Sequence, residues 1–163
     1  MLGHRSIIYD TYALTTMEIG FRYIGNNEYI SEVDGKDPIY IKGPEDRPSN
    51  RFAPTELLLF AMASCSSSDV LSILEKMKVN VKSYSCRVTA ERNEEHPKVV
   101  KHANINYILE GDVPEDKVRR AVNLSLNRYC NVSILAIRGG ADVRFSITIN
   151  GKTVAFDEKP QPL

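Results

Sequence analysis

The chain has 163 residues, of which 42% are hydrophobic and 26% are charged, a composition typical of a soluble globular domain. Lys and Arg number 21, and so do Asp and Glu, so the formal net charge is zero. This balance argues against a nucleic-acid-binding protein, which would carry a basic excess. No run approaches 18 apolar residues, and residues 1–16 lack the apolar core of a secretory signal. We therefore expect no membrane partner and a cytoplasmic location.

The first part of the chain predicts a weakly ordered extension followed by three short strands. Residues 1–16 show no clear pattern, and apolar and polar residues partly alternate from Met17 to Gly25. Asn-Asn and Asp-Gly turn signals bracket a second strand over 29–33, and a third follows over 39–41. A polar, proline-punctuated loop then occupies residues 43–53.

A buried helix should follow this loop. Pro54 suits a first helical turn, and Glu56 favours the positive end of the helix dipole. Residues 57–63 are apolar on every face, which predicts that the first half is buried all round. The second half is amphipathic, with one apolar stripe made by Val70, Ile73, Leu74 and Met77.

The remaining elements are predicted to be two strands, a second helix and a final strand. The strands span Val81–Arg92 and Val99–Leu109, and the helix opens at Pro114. A break at 129–131 precedes a short helical piece, and Val143 to Ile149 alternate cleanly as the last strand.

This order predicts an α+β fold with largely antiparallel sheets packed around the buried helix. We expect one domain over residues 17–156 and a C-terminal tail over 157–163. A chain of this length with half-apolar strands would struggle to cover an all-apolar helix, so a second copy is expected to cover it in a homodimer.

Two of the three cysteines stand at places that suit redox chemistry. Cys65 lies where the apolar half-helix turns polar, before Ser66-Ser67-Ser68-Asp69, so its thiol can be shielded on one side and reached from the other. Cys130 lies at the helix break; if Asn131 begins a new helical piece, free N–H groups there would lower the pKa of the thiol. Taken alone, each thiol is also consistent with a small packed core side chain.

The other metal- and redox-competent side chains give weaker signals. Cys86 lies inside a strand and is interpreted as structural. His4, His96 and His102 are scattered among charged neighbours and are interpreted as surface residues. No CxxC pair or Cys/His cluster has metal-ligand spacing.

Two motifs resemble the OsmC/Ohr family. The segment from Phe52 to Cys65 resembles the first-cysteine helix of that family, and the segment from Arg128 to Ser133 resembles its second-cysteine motif. The two cysteines are 65 residues apart, as in the family. The resemblance covers most of the chain, from about Met17 to Asn150, and implies an OsmC-like fold, an intertwined homodimer and no metal, flavin or haem.

The resemblance also implies a mechanism and its site residues. Cys65 would attack a hydroperoxide and become a sulfenic acid, Cys130 would resolve it as a disulfide, and a dithiol reductant would restore both thiols. The family places a glutamate and an arginine by the first cysteine. Glu56 is the candidate glutamate, though it stands nine residues before Cys65 and would reach that thiol only across a dimer interface. Arg51 or Arg47 is the candidate arginine, because the N-terminal strands lack one at the matching position.

Two other functions remain open on the same scaffold. The first is a non-catalytic dimer that binds a small apolar ligand between subunits, in a cleft lined by residues 57–62 and Tyr129. The second is a redox sensor in which oxidation of Cys65 and Cys130 changes a partner surface. Ligand binding that survives loss of either thiol would favour the first, and stoichiometric oxidation at low peroxide with slow turnover would favour the second.

Overall fold

The structure, a computed structural model, describes residues 17–44 and 49–162. The predicted extension over 1–16 and the candidate Arg47 lie outside these residues. The chain divides into two compact units, Met1–Pro54 and Thr55–Leu163. Each unit is built around its own sheet.

The first unit contains a three-stranded antiparallel sheet, which confirms the predicted meander. Its strands are β1 (Gly20–Gly25), β2 (Glu28–Glu32) and β3 (Tyr40–Lys42), in that order. Asn26 and Asn27 both take a positive φ, 50° and 57°, so the β1–β2 turn has the twist that a tight hairpin requires. Among residues 17–44 only Gly43 is buried.

The second unit contains a four-stranded sheet with helices on one face. The strands are β4 (Asn80–Arg92), β5 (Val100–Asp112), β6 (Asp142–Ile149) and β7 (Lys152–Glu158), and they lie in that order. β4–β5 and β6–β7 pair antiparallel, whereas β5 and β6 pair parallel. The α+β class and the largely antiparallel pairing are thus confirmed, with one parallel pair that short-turn reasoning missed.

Helical elements complete the described part of the second unit. The long helix α1 (Pro54–Lys76) precedes the sheet. The crossover between the parallel strands consists of α2 (Glu115–Leu124), a π-helical turn (Ser125–Tyr129) and α3 (Asn131–Arg138). A parallel pair needs such a crossover, so the helix break in the sequence belongs to the connection between β5 and β6.

The core lies between the helices and one face of the sheet. Alternate residues of β5 and β6 are buried there, as the period of two requires. They pack with a stripe of α1 at helical spacing and with the inner face of α2. The fully buried side chains include Met62, Val70, Leu74, Ile105, Tyr107, Leu109, Val118, Val122, Phe145 and Ile147.

Two sequence expectations are corrected here. The strand β7 was not predicted, and it continues to Glu158, two residues beyond the expected end of the domain. The first half of α1 is not buried all round within one chain, because Leu58 is 43% exposed and Phe60 is 66% exposed. The physical reason is that one sheet covers only one side of a helix.

The helix α1 is also long and apolar enough to cross a membrane, with 23 residues and an 18-residue stretch whose mean hydropathy is 1.7. As expected from the sequence, α1 contains no run of 18 consecutive apolar residues, because serines and Asp69 interrupt it. The same test is passed by core helices of soluble proteins. One stripe of α1 is buried in the core of the second unit, which is the position of a core helix.

Candidate functional site

The structure brings Cys65, Cys130 and Asp69 together. The sulfur atoms of Cys65 and Cys130 and a carboxylate oxygen of Asp69 all lie within 4.8 Å of one another. Cys65 and Asp69 are half-buried on α1, four residues apart and therefore on one face. All three cysteines of the chain are free thiols. The expectation that Cys65 and Cys130 act together rested on family resemblance alone. In the structure their sulfur atoms are neighbours.

Cys130 is the N-cap of α3, as the sequence predicted if a helix began at Asn131. The π-helical turn ends with a hydrogen bond from Cys130 N to the carbonyl of Ser125, 2.9 Å long. The Cys130 sulfur accepts a hydrogen bond from Ser133 N at 3.3 Å and lies 3.1 Å from Ser133 Oγ. The cap therefore fixes the position of the thiol.

The expected lowering of the Cys130 pKa is wrong. Burial raises the pKa of this thiol above its usual 9.0, because the side chain is fully buried and the thiolate would lose its water. The two hydrogen bonds between Cys130 and Ser133 oppose the rise in pKa without cancelling it, and neighbouring Cys65 adds to the rise. Cys130 is therefore held as a neutral thiol at neutral pH.

The open side of the site is formed by Cys65 and Asn131. Cys65 is half-buried and its Sγ donates to Asn131 Oδ1 at 3.4 Å. Asn131 itself is exposed. A small molecule that arrives from solvent would therefore meet Cys65 before it meets the buried Cys130.

A buried chain of hydroxyls supports Asp69. Ser125 Oγ donates to Asp69 Oδ2 at 3.0 Å and lies 3.0 Å from Ser66 Oγ. Ser66 also forms a hydrogen bond of 2.5 Å with Tyr107 Oη, in the middle of the core. Ser66, Ser125 and Tyr107 are fully buried, so this network orients the Asp69 carboxylate.

Sequence reasoning missed Asp69, although its spacing was readable. A helix places residues i and i+4 on one face, so Asp69 had to lie beside Cys65 once α1 was assigned. The hydroxyls of Ser66 and Ser125 left no such signal. Their convergence depends on how α1 packs against the π-helical turn.

The other two predicted site residues lie elsewhere. Glu56 is in the first turn of α1, nine residues before Cys65, or about 13 Å along the same helix. Arg51 belongs to the first unit, where its guanidinium lies 4.3 Å from the ring centroid of Tyr40 and 4.0 Å from Glu28. The roles of Glu56 and Arg51 at the cysteine pair stay predictions.

The third cysteine and the histidines lie apart from the cysteine pair in sequence. Cys86 is half-buried on β4 and packs against the core, where burial raises the pKa of its thiol. His96 is exposed, as expected, and His4 lies outside the described residues. His102 differs from the expectation of a solvated surface residue, because it is half-buried between Asp142 and Asp157, at 3.7 and 3.3 Å.

Known proteins resemble this chain in sequence and in fold. The protein YhfA from Escherichia coli K12 is 39% identical over 84 residues, which are 51% of this chain and 63% of that protein. A hypothetical protein from Aquifex aeolicus superposes with a TM-score of 0.73 at 27% identity, covering 83% of this chain and 96% of that one. An organic hydroperoxide resistance protein from Legionella pneumophila superposes with a TM-score of 0.62 at 19% identity, covering 83% and 98%.

The family model described as OsmC-like protein matches residues 46–146. This segment contains α1 with Cys65, the sheet through most of β6, and the crossover that carries Cys130. It covers more than half of the sequence. The chain therefore belongs to the OsmC-like family.

Proposed function

We propose that this protein is a thiol-dependent peroxidase that reduces organic hydroperoxides, or hydrogen peroxide, with Cys65 and Cys130. The observation that carries the proposal is the approach of the two sulfur atoms to within 4.8 Å of each other. The structural neighbour from Legionella pneumophila also supports a redox role, because it is described as an organic hydroperoxide resistance protein and a predicted redox protein.

The proposed cycle uses the exposure difference between the two thiols. The Cys65 thiolate attacks one peroxide oxygen, the O–O bond breaks, and the sulfur becomes a sulfenic acid while the substrate leaves as an alcohol. Cys130 then attacks the Cys65 sulfur, a disulfide forms and water leaves. A dithiol reductant supplies two electrons and two protons to restore both thiols. We place this cycle in the cytoplasm, where such reductants keep thiols reduced.

Asp69 is the group that we propose as proton acceptor for Cys65. Its carboxylate oxygen is within 4.8 Å of the Cys65 sulfur, a separation that one water or a small side-chain rotation can bridge. Ser125 Oγ donates a hydrogen bond to Asp69 Oδ2 and so helps to fix the carboxylate. The proton taken from the thiol can then pass to the alkoxide that leaves.

The test is consumption of cumene hydroperoxide by the reduced protein with a dithiol present. Cys65→Ser should lower the rate to the background, whereas Cys130→Ser should allow one turnover and then accumulate oxidised Cys65. Cys86→Ser is the matched control and should keep the full rate. A Cys65→Ser variant that consumes peroxide at the normal rate would falsify the proposal.

Arg51 and Glu56 are tested in the same assay. If they serve the thiolate as the family pattern implies, Arg51→Ala and Glu56→Gln should each lower the rate without unfolding the protein. Arg92→Ala, an exposed arginine on β4, is the control for a general loss of positive charge. Normal rates in both variants would mean that Arg51 and Glu56 do not assist the reaction and that Asp69 is the charged side chain that does.

We further propose that the protein is a homodimer, with the first half of α1 at the interface. Leu58 and Phe60 are 43% and 66% exposed on this helix, an apolar surface that water would otherwise contact. Light scattering after size exclusion should give twice the mass of the 18.3 kDa chain. Phe60→Asp should shift the mass toward that of one chain, and Phe156→Asp on β7 should not.

A further inference from the structure

We propose that Cys65, Asp69 and Cys130 form a binding site for a thiophilic divalent cation, with Zn²⁺ as the best match. The inference does not depend on peroxidase activity. It rests on the convergence of three donor atoms, two sulfurs and one carboxylate oxygen, within 4.8 Å of one another. Two thiolates and a carboxylate are a donor set that Zn²⁺ accepts readily.

The donor separations fit a tetrahedral ion after small side-chain rotations. With Zn–S bonds of about 2.3 Å and Zn–O bonds of about 2.0 Å, tetrahedral donors lie roughly 3.5–3.8 Å apart. The three donors are already within 4.8 Å of one another, so each needs to move by about 1 Å or less.

The backbone positions of the three ligands are fixed by different elements. Cys65 and Asp69 lie one helical turn apart on α1, the spacing by which a helix presents two ligands to one ion. Cys130 is held at the N-cap of α3. Ser125 donates a hydrogen bond to Asp69 at 3.0 Å, the kind of support that orients a ligating carboxylate.

The site also has an open fourth position. Asn131 Oδ1 lies 3.4 Å from the Cys65 sulfur on the exposed side, so a water molecule or this amide oxygen can complete the tetrahedron. A cation would compensate for the burial of the Cys130 sulfur as a thiolate, which is otherwise unfavourable. The three ligands form no recognisable sequence motif, because 60 residues separate Asp69 from Cys130 in the chain.

An occupied site would remove the nucleophile that a peroxide needs. A thiolate bound to Zn²⁺ shares its lone pair with the ion and attacks peroxide more slowly. We therefore expect Zn²⁺ to inhibit any reaction of Cys65 with peroxide, and a chelator to restore that reaction.

The test is a titration of the reduced full-length protein with Cd²⁺, a spectroscopic substitute for Zn²⁺, without peroxide or dithiol. Binding should produce the ultraviolet charge-transfer band of a thiolate–Cd²⁺ bond that saturates at one ion per chain, and Zn²⁺ should displace it. Cys65→Ser and Cys130→Ser should each remove half or more of the band. Asp69→Asn should weaken binding, because the amide oxygen carries no charge and is a poorer ligand than a carboxylate.

Two controls make the result decisive. Cys86→Ser should leave the titration unchanged, and circular dichroism should confirm that every variant is folded. Absence of the band in the native protein, a band that depends on Cys86, or equal affinity in Asp69→Asn would each overturn the proposal. A protein that binds Cd²⁺ but does not consume peroxide would retain this inference and remove the peroxidase, so the two can fail separately.

Discussion

Cys130 illustrates how two opposing effects decide the chemistry of one residue. At the N-cap of α3 its sulfur accepts a hydrogen bond from Ser133 N and donates one to Ser133 Oγ, and these contacts with Ser133 lower its pKa. Its complete burial costs the thiolate its hydration, and burial is the larger effect on its pKa. The sequence revealed the cap but not the burial, which depends on how the crossover packs onto α1.

The buried thiol and phenol groups of the second unit predict a loss of stability at alkaline pH. Burial raises the pKa of Cys86 above its usual 9.0 and raises those of Tyr84 and Tyr107 above 10.0. These groups stay protonated in the folded state while the unfolded chain ionises. Their contribution to stability is therefore complete below about pH 8–9 and is lost as the pH rises toward their folded pKa values.

Urea unfolding of the reduced protein at pH 8 and at pH 10.5 measures this effect. The free energy of unfolding should be lower at pH 10.5 than at pH 8. This decrease should be smaller for Cys86→Ala than for the native protein. A free energy that is constant or rises over this range would contradict the assigned direction of these pKa shifts.

Tyr107 anchors the hydroxyl network beneath the site. Tyr107→Phe removes its hydrogen bond with Ser66 but keeps the ring in the core, so the free energy of unfolding should fall by about 0.5–1.5 kcal/mol. Tyr129→Phe is the control, because Tyr129 is 51% exposed and should change little. Equal effects of the two substitutions in urea melts would mean that the network does not stabilise the fold.

Among the elements, the sequence predicted those with strong periodicity. Alternation marked β5 and β6, and apolar content marked α1, so their bounds agree with the structure to within a few residues. The strand β7 was missed because it is an edge strand in which only Ala155 is buried, and Asp157 takes a positive φ of 50° that interrupts its pattern. Period alone cannot identify such a strand.

In the candidate site too, one contact could be predicted from local sequence and another could not. The pairing of Cys65 with Asp69 follows from helical spacing within α1 alone. The approach of Cys130 depends on a parallel β5–β6 pair, whose crossover returns the chain beside α1. No local pattern encodes that return, and only resemblance to a family indicated it.

Gly111 is required where β5 ends beside β4. It takes a φ of 126°, and a Cβ atom there would lie 2.8 Å from the carbonyl oxygen of Asn80. Gly111→Ala should lower the free energy of unfolding by about 1–3 kcal/mol, because it adds a backbone clash to an unfavourable conformation. Gly140→Ala is the matched control, since φ is 95° there but nothing lies within 4 Å.

Thermal or urea melts of the two glycine variants separate strain from clash. Gly140→Ala should lower the free energy of unfolding less than Gly111→Ala does, because it introduces an unfavourable φ without a steric clash. A larger loss in Gly140→Ala would contradict the proposed close approach at Gly111.

At the scale of the whole molecule, burial is concentrated in the second unit. Nearly every second side chain of β5 is buried, and both of its edges are paired. In contrast, residues 17–44 contain one buried residue. Local opening is easiest where few apolar contacts are lost, so the two sheets should differ in their opening free energies.

Hydrogen exchange measured by mass spectrometry tests this difference. Peptides from β5 should exchange most slowly, and peptides from β1 to β3 should exchange faster. Protection of β1–β3 equal to that of β5 would contradict the expectation for one chain and would mean that another surface covers the first sheet.

The long separation of Cys65 and Cys130 in sequence has a thermodynamic consequence. A disulfide between them would close a loop of about 65 residues and restrict the unfolded chain, which is worth about 4 kcal/mol in the loop-entropy model. For a chain of this size that corresponds to a rise in melting temperature of about 8–16 °C. Oxidation would then be visible as thermostabilisation, so a melting assay across a panel of hydroperoxides could rank oxidants of this pair without following any product.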